Sequence, residues 1–82
     1  MGHQMPFYLF LWTPEIVEHL AQHEVSIDEF ESIVQNPDSS GISRSSSRPF
    51  AVGQTEDGRT LLCVYEFVDD TTIEPVTAYD ID

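Results

Sequence analysis

The chain has no lysine. Against fifteen aspartates and glutamates stand three basic residues, all arginines, for a formal charge of −12 over 82 residues. Affinity for nucleic acid rests largely on Lys and Arg neutralising phosphates, so the field of the whole chain opposes that partner. An anionic membrane surface is disfavoured for the same reason. A basic protein is favoured, since complementary fields speed encounter. Cysteine is nearly absent too: Cys63 stands alone within an apolar run, which excludes an internal disulfide. No signal-peptide pattern is visible, and the expected location is the cytoplasm. Long apolar runs are missing, the first being the eight residues Met5–Trp12, too few to span a bilayer. No glycine-rich phosphate loop, nucleophile elbow, zinc-ribbon spacing or calcium loop occurs.

What is present reads as one small domain over residues 1–82, with 1–5 a flexible leader. Phe7-Tyr-Leu-Phe-Leu-Trp12 is aromatic and predicts a strand over about 6–12. Thr13-Pro14 then starts a helix: a hydroxyl N-cap followed by proline at the first helical position, where a missing N–H costs nothing. Ile16, Val17, Leu20 and Ala21 form the apolar arc of a helix over about 14–22. Ser26-Ile-Asp-Glu29 is a capping box for a second helix, with Val25 and Phe30 placed as a hydrophobic staple. Ile27, Phe30, Ile33 and Val34 make its buried stripe, and Asn36-Pro37 ends it.

Beyond that point the period changes to two. A serine-rich loop is expected over 38–47, then strands over Pro49–Thr55, Thr60–Val68 and Thr72–Tyr79. Glu56-Asp57-Gly58 and Asp69-Asp70 supply the turns between them. Leu61, Cys63, Tyr65 and Phe67 alternate with Leu62, Val64, Glu66 and Val68, so the middle strand is expected to be central and covered at least partly on both faces. Pro75 in the last strand demands an edge, a bulge or an amide that points away from its neighbour. The predicted class is α+β: strand, helix, helix and a three-stranded antiparallel meander, with two helices packed on a small sheet.

Arg44, Arg48 and Arg59 are the candidate binding groups. Arg48 opens one meander strand and Arg59 follows the turn into the next. If the hairpin brings them together, with Tyr65 further along, they would hold a phosphate bidentately and stabilise charge on a phosphoryl group. The competing reading is that each arginine pairs with a neighbouring acid such as Asp38, Glu56 or Asp57. His19 and His23, with Glu15 one turn earlier, share a helix side, but two helical histidines without a third marked ligand are a weak metal signal. No metal or cofactor is expected. Cys63 points into the core pattern, where thiols are inert.

Four segments resemble the BrnT family, small toxins of bacterial toxin–antitoxin pairs with a RelE-like ribonuclease fold. Phe10-Leu-Trp-Thr-Pro14 is similar to the family's opening strand and helix start. His23-Glu-Val-Ser-Ile-Asp-Glu-Phe30 is similar to its His-Gly-Val-Ser entry into the second helix. Arg48-Pro-Phe-Ala-Val-Gly53 with Asp57-Gly-Arg59 is similar to its arginine, glycine and Gly-Arg hairpin, and Ile73–Tyr79 lies where the family has its last strand. The resemblance implies a metal-independent ribonuclease acting on RNA or the ribosome, held in check by a DNA-binding antitoxin. It carries over Arg48 and Arg59, with Tyr65 as a companion, as catalytic residues. The family's arginines in the last strand are replaced here by Glu74 and Tyr79, which implies a degenerate site. The alternative is a non-catalytic acidic interaction module that keeps the fold and binds a basic partner.

Overall fold

The computed structural model describes residues 8–81. The expected leader at 1–5 and the beginning of the first expected strand lie outside the described residues. The chain runs β1 (Leu9–Phe10), α1 (Pro14–Gln22), α2 (Ile27–Gln35), β2 (Ser39–Ile42), β3 (Pro49–Gln54), β4 (Thr60–Phe67) and β5 (Thr72–Asp80). This is an α+β architecture with one five-stranded sheet, in the order β1-β5-β4-β3-β2. β1 pairs parallel with β5, and every other neighbour pair is antiparallel.

Both helices begin as their sequences dictate. Thr13 accepts the Ile16 amide at 3.3 Å, with Pro14 in the first turn. At α2 the Ser26 hydroxyl accepts the Glu29 amide at 3.1 Å, and a Glu29 carboxylate oxygen accepts the Ser26 amide at 3.0 Å. Val25 and Phe30, the two staple positions, are both buried. Each helix buries one side and exposes the other: α1 buries Leu20, and α2 buries Phe30, Ile33 and Val34 while Asp28 and Ser32 stay exposed. Ile27, expected in the buried stripe, is 37% exposed. It is the first residue of α2, where the helix is just entering the layer.

The core lies between the helices and one face of the sheet. Phe30, Leu20, Leu61, Ile73 and Cys63 are its largest fully buried side chains. Phe30 takes the edges or faces of Phe10 and Trp12, with ring centroids 6.4 and 5.5 Å away. Trp12 in turn donates its indole N–H to Glu31 of α2 at 2.7 Å, so the aromatic entry strand is tied to the second helix. α2 sits close over β3: a Cβ on Gly53 would lie 3.1 Å from Ile33 Cγ2. Glycine there is a packing requirement.

Two expectations change. The segment 38–47 is not loop throughout, because Ser39–Ile42 forms β2 and pairs along β3 from Ser39↔Val52 to Ile42↔Pro49. Serine and glycine disguise a strand whose only pairing is an edge. The antiparallel meander therefore has four strands rather than three, and β1 joins it as a fifth. β4 is central, as expected, and its two faces are unequally covered. Leu61, Cys63 and Tyr65 are buried, whereas Leu62, Val64 and Glu66 on the reverse face are only partly so. Pro75 does coincide with a bulge: β4 and β5 shift register between Val64↔Thr77 and Tyr65↔Pro75, leaving Val76 as the extra residue.

Burial pushes the Cys63 thiol up to about 12. It should stay unreactive toward Ellman's reagent at pH 8 in the folded protein and react stoichiometrically in urea. Phe30→Ala should remove about 3–5 kcal/mol, a large share of the ~5–15 kcal/mol holding a small domain together. Chemical denaturation would read this as loss of most of the folded baseline, with Phe30→Leu intermediate.

Candidate functional site

The β3–β4 register decides where the arginines lie. Gln54 faces Thr60 beside the turn, and Phe50 faces Val64 toward the other end. Continuing that count, Arg48 stands opposite Glu66 at the open end of the hairpin, while Arg59 closes its turn. Six residues of strand separate the two ends, roughly 20 Å at ~3.4 Å per residue. The hairpin does not bring Arg48 and Arg59 together.

They also differ in face. Arg48 Nε donates to Glu66 Oε2 at 2.6 Å on the side of the sheet away from the helices. The two side chains are 40% and 45% exposed, and a pair so open to water contributes about 0–1 kcal/mol. Arg59 turns to the helical side. Its Nη1 donates to the Glu24 carbonyl at 2.8 Å, its Nη2 to Glu29 Oε2 at 2.9 Å, and its Nε to Asp57 Oδ1 at 3.3 Å. The guanidinium thus links the hairpin turn, the α1–α2 connection and the capping carboxylate of α2. Arg44 lies exposed in the loop between β2 and β3.

Around Arg59 the turn is closed by its own polar groups. The Arg59 amide donates to Thr55 Oγ1 at 3.1 Å, and the Thr55 hydroxyl donates to Asp57. Gly58 takes φ of +91°, the backbone region that favours glycine. The Thr55 hydroxyl, and next the Arg59 guanidinium, hold the Asp57 carboxyl below the ordinary carboxylate range.

Tyr65 belongs to neither arginine. It is 8% exposed in the helix-facing core, its ring edge-on to Phe67 at 5.7 Å, and burial raises its hydroxyl pKa. The expected set Arg48, Arg59 and Tyr65 is therefore spread over both faces and both ends of one hairpin. His19 Nε2 lies 2.9 Å from Thr77 Oγ1, and the His19 and His23 rings meet edge-on at 5.2 Å. Among the described residues no group of three His, Cys, Asp or Glu side chains is placed to hold a metal ion.

Among the described residues two shallow clefts carry carboxylates on their walls and no arginine. One of about 300 Å³ lies between α2 and the hairpin turn, lined by Asp28, Glu29, Ser32, Gln54, Thr55 and Glu56. The other, of about 280 Å³, separates α1 from β5, with Glu15, His19 and Glu74 on its walls.

The counting that places Arg48 opposite Glu66 is open to a reader of the sequence, because the Asp-Gly turn fixes the hairpin register. Nothing in the sequence marks Glu29 as a partner of Arg59 across 30 residues, since only the docking of α2 on the sheet makes that contact.

Because Asp57 is held below its ordinary pKa, its contribution to stability is full above about pH 4 and is lost as pH falls through its folded value. Asp57→Asn should therefore be less stable than the parent at pH 7, and the gap should be smaller at pH 3. Urea midpoints of both proteins at the two pH values measure this; a gap that widens in acid would contradict the assignment. No family model matches the chain, and comparison with curated proteins and with solved structures likewise returns no match.

Proposed function

We propose that this chain is a non-catalytic protein-interaction module whose acidic surface receives a basic protein partner. One observation carries the reading: both arginines that would have to grip a phosphodiester are bound to the chain's own carboxylates, on opposite faces of the sheet. A bidentate phosphate contact needs a guanidinium edge free of competing acceptors. Three donor directions of Arg59 are already engaged, by Asp57, Glu24 and Glu29. The remainder of the surface repels an anionic polymer, since twelve negative charges stand uncompensated. That same excess attracts a polycation from a distance and fades with salt.

A second reading draws on the order of elements. A strand, two helices and then a run of antiparallel strands is the layout expected of a BrnT-like, RelE-type toxin. Under that reading the ancestral fold is kept, the partner is a DNA-binding antitoxin, and Arg48 and Arg59 are remnants of a ribonuclease site now serving structure.

The two readings part in one experiment. Purified protein is incubated with labelled RNA, free and on ribosomes, and in parallel titrated with a sixteen-residue oligolysine and with an RNA oligonucleotide. The module reading expects intact RNA, no binding of the oligonucleotide, and oligolysine binding that weakens at least tenfold between 50 and 300 mM salt. RNA cleavage abolished by Arg48→Ala or Arg59→Ala would overturn it in favour of the toxin.

A further inference from the structure

The reverse face of the sheet is laid out in cross-strand rows. Val52, Leu62 and Tyr79 form one row, and Phe50 and Val64 the next. Beyond them Arg48 stands over Glu66, and Glu66 faces Glu74, which also borders the α1–β5 cleft. Phe50 lies across Gly41 of the edge strand, close enough that a Cβ there would meet its ring at 3.1 Å, so the apolar surface runs on to β2. α2 packs on the opposite face against β3 and β4, and α1 packs along β5, where His19 meets Thr77. Phe50, Val52, Leu62 and Val64 are only partly buried, and Tyr79 is 41% exposed. Among the described residues no layer covers them.

The charge at the end of these rows identifies what would. Glu66 and Glu74 are directly opposite each other on neighbouring strands, a like-charge placement that costs stability. Arg48 reaches Glu66 alone. A cation arriving at this corner would relieve the repulsion at Glu74. A second copy of the chain would bring the same acids and another −12, so self-association is opposed by the field. A helix about 10–12 Å across fits the two apolar rows, whose width along the strands is roughly 7 Å plus side chains at ~3.4 Å per residue.

We propose that the reverse face of the sheet docks an amphipathic helix of the basic partner, with its apolar side on Phe50, Val52, Leu62, Val64 and Tyr79 and a lysine or arginine beside Glu66 and Glu74. This rests on the interaction-module reading and assigns that module its contact surface. Hydrophobic contact supplies the specificity of site, and the acidic field supplies the encounter. The sheet would then carry helices on both faces, the added one contributed in trans.

The probe is an eighteen-residue leucine–lysine peptide with all leucines on one helical side. Its control has the same composition in an order that scatters the leucines. Binding is followed by calorimetry and by amide shifts of the labelled protein. The amphipathic peptide should bind at least tenfold tighter than the control, and shifts should concentrate on β3, β4 and β5 residues of the reverse face. Leu62→Glu is the decisive variant, because it removes apolar surface while adding attraction for a cation. It should weaken the amphipathic peptide at least tenfold and leave oligolysine unaffected or slightly tighter. Glu74→Gln should weaken the peptide by a few fold. Should Leu62→Glu misfold, the shift map on the unmodified protein tests the same contact.

Equal binding of the two peptides, or tighter binding by Leu62→Glu, would refute the docking face while leaving an electrostatic module intact. Failure of every basic peptide would remove both readings. A concentration-dependent dimer in sedimentation, abolished by Leu62→Glu, would give the face to a second copy and overturn the proposal.

Discussion

One carboxylate holds the two halves of this fold in register. Glu29 gives one oxygen to the Ser26 amide, closing the cap of α2, and the other to Arg59 at the tip of the β3–β4 hairpin. The local device that starts a helix is thereby also the device that seats it on the sheet. With α2 fixed there, Ile33 meets Gly53 and Phe30 reaches the aromatic residues of the entry strand. One face of the sheet closes into a core, and among the described residues no layer lies on the other. The side chains of Arg59 and Glu29 are 24% and 28% exposed, partly shielded, so this contact is less screened than the open Arg48–Glu66 pair.

The scarcity of bases gives that contact its functional meaning. In a chain with fifteen acids and three arginines, a guanidinium finds a carboxylate before it finds a ligand. Arg59 is committed to the joint between layers, and Arg48 to the open end of the hairpin. A phosphate-handling site needs convergent, uncommitted donors. The two clefts offer the reverse, with carboxylates facing solvent. Chemistry and field are those that the proposed basic partner would require.

Local signals in the sequence are strong wherever the chain punctuates itself. Thr13-Pro14, the Ser26–Glu29 box, Asn36-Pro37 and the Asp57-Gly58 turn each force a boundary, and the helices and main strands follow them closely. Ser39–Ile42 is hidden because Ser-Ser-Gly-Ile carries almost no strand preference and becomes a strand only against β3. The unequal coverage of the two faces of β4 is not legible because Leu62 and Val64 look like core residues in one dimension. Their alternation with Leu61 and Cys63 states that both faces are apolar, not that both are covered. For the site, residue spacing locates Arg48 and Arg59 on a hairpin, but closeness along a hairpin is set by register. Register places them at its two ends.

The most direct test of the claim that these arginines serve the fold is to watch their guanidinium groups. With ¹⁵N-labelled arginine, the Nε–H signals of Arg48 and Arg59 are recorded as inorganic phosphate and then a short RNA are added at constant ionic strength. Committed to Glu66, Asp57 and Glu29, both signals should stay in place across the titration. Saturable shifts of both signals at a common affinity would show a shared anion site and contradict the account.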